Sequence, residues 1–166
     1  MTAMLARFCG GLFGWTFEDA MPPGAPARYV IAKLDGRDGA AAWNTYISVD
    51  DADGAAQRLA SAGATVRSAP GDAGEGGRGA VLTDPEGVEF RIWQARRRLG
   101  AQVVNDPGAW NFSDLRTADP TAAIAFYTGA LGWQVDDLGF ATMIRRPGYD
   151  PGGAEFTASQ FTPPSG

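Results

Sequence analysis

The sequence predicts an α+β fold assembled from repeated units in which a helix hands over to a strand, and three observations carry that reading. Phe8 to Trp15, FCGGLFGW, returns as Phe126 to Trp133, FYTGALGW, at a constant offset of 118 residues. Asp84-Pro-Glu-Gly-Val-Glu-Phe90 returns as Asp150-Pro-Gly-Gly-Ala-Glu-Phe156, a D-P-x-G-x-E-F turn feeding a strand-like run. Between the two motifs of the first unit, the hydrophobic period switches in the order strand, helix, three strands. Repetition on this scale ranks above any local assignment. It also exposes an asymmetry: 76 residues separate Phe8 from Asp84, but 24 separate Phe126 from Asp150, so the second unit is 52 residues short. The junction at Tyr149-Asp150 falls on a turn, which favours an omitted segment over a true deletion.

Residues 1 to 15 form the first helix, with Leu5, Phe8, Cys9, Leu12 and Phe13 at helical spacing and Gly14-Trp15 at its end. Strands follow at 15 to 19 and 28 to 34, parted by the Pro-Pro-Gly turn at 22 to 24. Trp43 to Val49 alternates as a strand. Asp50-Asp51 then caps a helix over Ala52, Ala55, Ala56, Leu59 and Ala60, closed by Gly63. Ala64 to Ser68 is a strand, Ala69 to Gly77 a Gly-rich loop expected to act as a mobile lip, and Arg78 to Thr83 a strand leading to the Asp84 turn and the strand Val88 to Gln94. A connector, Ala95 to Gly108, precedes a strand at Trp110 to Arg116. Asp119-Pro120 opens the second helix as N-cap and first turn, and strands follow at Gln134 to Leu138 and Phe140 to Arg145. The Pro/Gly tail from Thr162 carries no element.

Composition excludes several classes. No run approaches the roughly 18 apolar residues that span a bilayer, and the N-terminus lacks a signal-peptide layout, so a cytoplasmic location without membrane contact is expected. A formal charge of −5, from 14 basic against 19 acidic residues, offers no footprint for nucleic acid. The cluster Arg96-Arg97-Arg98 reads as a solvated linker rather than a phosphate site. The single Cys9 reads as a core residue rather than a reactive thiol, and an internal disulfide is impossible. Histidine is absent altogether, which removes any Ser-His or Cys-His nucleophile pair. The glycines Gly74, Gly76, Gly77 and Gly79 lack the spacing of a phosphate loop and lead to a strand.

FY-x-G-x-LGW on a helix, Y-x-x-V-D-D opening a strand-helix unit and DP-x-G before a final strand together resemble the vicinal oxygen chelate superfamily of glyoxalase I, bleomycin-resistance proteins and extradiol dioxygenases. The resemblance covers most of 1 to 95 and again 109 to 161. More narrowly, the chain is similar to actinobacterial proteins with two such domains in tandem, described as glyoxalase-like or hydroxylases. It implies paired strand-helix-three-strand (βαβββ) modules whose mixed sheets curl into cups holding a ligand or metal. The domains would be 1–95, lacking its first strand, and 109–166, lacking its middle, joined by a linker at 96–108.

Metalloenzymes of this superfamily place His or Glu on the first strand of each module and Glu seven residues past the Asp of the DP turn. The matching positions here are Asn44, Phe112, Arg91 and Thr157, and an arginine repels a divalent cation. No cofactor is therefore expected, and a divalent metal only if segments outside this sequence supply ligands. Glu89 and Glu155 sit two residues before Arg91 and Thr157 and so face the cup, where Glu89 has Arg91 as the obvious partner. Alternation points Asn44, Tyr46 and Ser48 with Glu89, Arg91 and Trp93 into the first cup, and Trp110, Phe112 and Asp114 into the second. Aromatic walls with sparse polar groups suit a small molecule, although aromatic residues on strands also serve as core. The leading expectation is metal-free binding of a small, partly aromatic molecule or antibiotic, without catalysis. The alternatives are a metal-dependent lyase or oxygenase with ligands in absent segments, and a structural role in which the cups pair two copies as a homodimer.

Overall fold

The computed structural model describes residues 2–16, 43–101, 103–110, 113–139 and 141–148. The expected strands at 15 to 19 and 28 to 34 with their Pro-Pro-Gly turn, the residues Phe112, Phe140, Glu155 and Thr157, and the Asp150 turn with its strand and tail lie wholly or largely outside these. The described residues form two sheets and three α-helices. The order is α1 (Thr2–Phe13), β1 (Tyr46–Ser48), α2 (Ala52–Ser61), β2 (Thr65–Asp72), a 3-10 turn (Gly74–Gly76), β3 (Gly77–Thr83), β4 (Glu89–Ala95), α3 (Pro120–Leu131), β5 (Gln134–Asp137) and β6 (Thr142–Arg145).

The first sheet is mixed and runs β1-β4-β3-β2. β1 lies parallel to β4, with Tyr46 opposite Arg91 and Ser48 opposite Trp93, while β4–β3 and β3–β2 are antiparallel. A parallel pair needs a crossover, and α2 begins it. Ala52, Ala55, Ala56 and Leu59 recur at helical spacing and are all buried, so α2 lays a stripe of small side chains close against the sheet. Asp51 Oδ1 accepts the Asp53 amide at 3.1 Å, and Gly63, at φ +110°, turns the chain out of the helix.

Alternation in β1, β3 and β4 sends Ile47, Ala80, Leu82, Phe90 and Ile92 to the helical side, where all are buried. Leu59, Leu82 and Ile92 are fully buried, each contributing about 1.5–3 kcal/mol. α3 closes the same core. Its N-cap is Asp119, whose carboxylate accepts the Ala122 amide at 3.0 Å, its first turn begins with Pro120, and Gly132 ends it at φ +69°. Phe126, Tyr127 and Ala130 bury against α2 and the sheet, so a helix from the second repeat completes the core of residues 47–92. β5 and β6 form a separate two-stranded hairpin, with Asp136 and Arg145 ion-paired across it. The Arg145 guanidinium holds the Asp136 carboxyl below the usual carboxylate range. Among the described residues, no helix is long and apolar enough to cross a membrane.

Two expectations need correction. The stretch expected as a Gly-rich lip is mostly strand: β2 runs on to Asp72, opposite Arg78, with register shifts between Val66 and Gly71 that accommodate Pro70. The antiparallel ladder to β3 is the physical reason, with Gly71 opposite Gly79 and Asp72 opposite Arg78, which also ion-pair at 3.3 Å. Arg96, Arg97 and Arg98 are all exposed, as expected of a solvated segment, and Arg96 pairs with Asp72 at 2.8 Å and Arg97 with Glu75 at 2.5 Å on the surface. Second, residues 113–117 carry no strand, and Trp110 forms an isolated bridge with Val104. A strand exists only through a paired neighbour, and among the described residues β5 and β6 pair with each other and not with 113–117.

Candidate functional site

The sheet face away from the helices collects the polar and aromatic residues that alternation excludes from the core. β1 contributes Tyr46 and Ser48, β4 contributes Glu89, Arg91 and Trp93, and β3 places Thr83, Val81 and Gly79 directly opposite those three. The parallel register is extended at both ends, by Arg91 N–H to Thr45 O at 2.9 Å and Val49 N–H to Trp93 O at 3.0 Å. It therefore fixes Tyr46 beside Arg91. The Arg91 guanidinium donates to the Tyr46 hydroxyl at 2.8 Å and lies 5.4 Å from the centre of the Tyr46 ring. Glu89 reaches Arg91 at 3.6 Å, a loose contact from a carboxylate that is half exposed.

Trp93 completes the group. Tyr46 stands edge-on to it, with centroids 6.5 Å apart and planes at 87°. The indole Nε1 donates to the Arg98 carbonyl at 2.9 Å. Its ring lies over the neighbouring strand, where a Cβ on Gly77 would come within 2.5 Å of the indole and one on Gly79 within 3.1 Å. The two glycines are the bed of Trp93. Sequence reasoning placed Gly77 at the end of a lip and Gly79 in the following strand, and their every-other-residue spacing was the available signal.

Of the other predicted site residues, Asn44 precedes β1 and is exposed, and Asp114 is exposed on a segment without a strand. Trp110 is half exposed beside Val104, its carbonyl accepting the Asn105 amide at 2.8 Å. The structure therefore brings together Tyr46, Glu89, Arg91 and Trp93, and sets Trp110 and Asp114 in the connecting chain. Among the described residues, no three His, Cys, Asp or Glu side chains are grouped to hold a metal. The residue at the family's ligand position, Arg91, donates hydrogen bonds and cannot coordinate a cation.

A second feature escaped sequence reasoning. A cleft of about 140 Å³ lies between the β1–α2 corner, the end of α3 and the residue after β6, lined by Val49, Leu131, Trp133, Arg58 and the pair Asp50–Arg146, which meet at 3.0 Å. Its residues come from three distant segments, so no local motif announces it. Cys9 is buried, as expected of a core residue.

Residues 2–93 match the family described as Glyoxalase-like domain. The chain is 36% identical over 140 residues to "Putative glyoxylase CFP32" of Mycobacterium bovis, covering 76% of this chain and 54% of that protein. It is 32% identical over 162 residues to "Anthracycline biosynthesis protein DauV" of Streptomyces sp. strain C5, covering 82% of this chain and 58% of the relative, and 33% identical to DnrV of Streptomyces peucetius over the same length. The chain thus spans a little over half the length of these curated relatives. Together with the mixed β1-β4-β3-β2 sheet, these matches place the chain in the glyoxalase-like family of the vicinal oxygen chelate superfamily.

Proposed function

We propose that the chain binds a small aromatic molecule, a metabolite or antibiotic, on the face of its first sheet opposite α2 and α3 without a metal, as the antibiotic-sequestering members of the superfamily do. The observation that carries this reading is Arg91. It stands where the superfamily's metalloenzymes hold a carboxylate, it donates to Tyr46 at 2.8 Å, and an ordered indole lies next to it. A fixed cation with aromatic walls suits ligand recognition and opposes metal capture. The relatives named for anthracycline biosynthesis support an aromatic ligand.

In this reading the chain carries two glyoxalase-like units in tandem, 1–95 and 109–166, with 96–108 as linker, and works in the cytoplasm with neither nucleic acid nor membrane as partner. Asn44, Tyr46, Glu89, Arg91 and Trp93 serve the first unit, and Trp110, Phe112 and Asp114 the second. The second reading, a metal-dependent lyase or oxygenase, is favoured by the relative named a glyoxylase and draws its ligands from segments outside this chain.

The test is a titration of chelator-treated protein with a planar neutral probe, anthraquinone-2-carboxamide, followed by quenching of its five tryptophans. Saturable quenching that is unchanged by added Zn²⁺, Ni²⁺ or Fe²⁺ is expected. Absence of binding until a stoichiometric metal is restored would overturn the proposal in favour of the second reading.

A further inference from the structure

We infer that this face selects fused-ring aromatic molecules bearing one acidic substituent, with the ring system stacked on Trp93 and the carboxylate or phenolate oxygen on Arg91. The inference rests on the binding reading above and specifies its ligand.

The stacking half follows from how Trp93 is held. An indole on a strand ordinarily samples several rotamers, but here one ring face lies on the backbone of β3. A Cβ on Gly77 would meet indole Cζ2 at 2.5 Å and Cε2 at 2.8 Å, and one on Gly79 would meet Cε3 at 3.1 Å. Gly79 is also the direct cross-strand partner of Trp93. The Nε1 hydrogen bond to Arg98 O, at 2.9 Å, fixes the remaining rotation, and the carbonyl that accepts it is anchored because the Arg98 amide donates to Gly76 O at 2.9 Å. Covering one face of an aromatic ring turns the other away from the sheet. What results is a flat, oriented, half-buried surface whose ordering cost is met before any ligand arrives, which is the condition for efficient stacking.

The charge half follows from position. Arg91 is two residues before Trp93 on the same face of the same strand, about 6.6 Å away along the chain. That spacing matches a fused ring system with an acid on its rim better than a single benzene ring with its acid close to the ring centre. The guanidinium is oriented by its bond to Tyr46 Oη at 2.8 Å and its side chain is 18% exposed, so its field is little screened. A planar fork of N–H donors is the group best matched to a carboxylate. Val81, directly opposite Arg91, supplies apolar surface beneath.

Glu89 sharpens the selection. Its carboxylate is 3.6 Å from Arg91 and 49% exposed, a weak partner that an incoming acid displaces at small cost. While it remains, it repels a ligand anion that does not reach the guanidinium.

The experiment compares anthraquinone-2-carboxylate with its isosteric neutral carboxamide on the full chain, by calorimetry and tryptophan quenching. The acid should bind roughly 10- to 100-fold more tightly than the amide. Arg91→Met should bring that ratio near one by weakening the acid far more than the amide, Glu89→Gln should raise affinity for the acid alone by a few fold, and Trp93→Phe should remove most of the quenching by either probe. Equal binding of acid and amide, or tighter binding of the amide, overturns the charge assignment and leaves the binding reading standing. Binding of neither probe overturns both. If Arg91→Met does not fold, by near-ultraviolet circular dichroism, Glu89→Gln decides alone, and an unchanged affinity for the acid refutes the inference.

Discussion

Tyr127→Phe tests the packing on which the first sheet depends. Tyr127 and Asp84 are 7% and 6% exposed, and the Tyr127 hydroxyl donates to Asp84 Oδ2 at 3.0 Å. Asp84 Oδ1 is already taken by the Glu86 and Val88 amides at 3.0 and 2.8 Å, so Oδ2 relies on the tyrosine. The substitution removes one oxygen and keeps the ring contacts to Phe90, Phe126 and Trp133. The cost is therefore that of depriving a buried carboxylate oxygen of its donor, about 1.5–3 kcal/mol. In urea the midpoint should fall with the slope unchanged, and Tm should drop by about 4–8 °C for a loss near 2 kcal/mol in a chain of this size. A double-mutant cycle with Asp84→Asn should return a coupling of about 1 kcal/mol or more. Alkaline pH supplies a second readout. Burial, and then the Asp84 carboxylate, push the Tyr127 hydroxyl well above the usual phenol range. Its contribution is complete below about pH 10, where the unfolded tyrosine ionises, and is lost as pH rises further, because the unfolded chain then releases a proton that the folded chain retains. Tyr127→Phe should flatten that decline. A loss under about 0.5 kcal/mol with the alkaline decline intact would refute the docking of α3 on this sheet.

Three further outcomes are expected. Gly77→Ala should destabilise by about 1–3 kcal/mol and shift the tryptophan emission, because a methyl group there meets the indole at 2.5 Å although the backbone, at φ 161°, accepts any residue. Gly129→Ala, on the exposed side of α3 with nothing within 4 Å of the added Cβ, should raise stability by about 0.5–1 kcal/mol in a denaturant titration. Asp119→Ala should lower stability by about 1 kcal/mol through loss of the cap to the Ala122 amide, with the helical circular dichroism signal reporting the fraying.

The elements legible in the sequence were those with local causes. α1, α2 and α3 carry apolar residues at helical spacing, α2 and α3 begin at Asp51 and Asp119, and Gly14, Gly63 and Gly132 all take positive φ at helix ends. β3 and β4 alternate around a turn whose Asp84 accepts two backbone amides. The extension of β2 through Ser68-Ala-Pro-Gly-Asp72 had no local signature, because Pro and Gly read as breakers. Pairing with β3 carries it, opposite Gly79 and Arg78, and only the ion pair of Asp72 with Arg96, 24 residues away, lies beyond a local window. Trp110 to Arg116 shows the reverse, since its alternation is right for a strand and residues 113–117 are not paired as one.

The partner of α3 was the largest non-local fact. The repeat equates Tyr127 with Cys9 and Glu86 with Gly152, so the two copies differ at the side chains that make this contact. Only Tyr127 brings a hydroxyl to Asp84, and Glu86 Oε1 receives the Ala118 and Asp119 amides at the start of α3 at 3.2 Å. α1, by contrast, leaves Phe8 and Leu12 more than half exposed. The same division runs through the candidate site. Strand alternation alone put Tyr46, Glu89, Arg91 and Trp93 on one face, because a period of two is a local property. That Tyr46 lies opposite Arg91 depends on the parallel register of β1 on β4, 45 residues apart, and that Trp93 lies flat depends on glycines of a third strand. Side-chain direction was thus readable from single strands, whereas the geometry that fixes a cation beside an aromatic surface is a property of the assembled sheet.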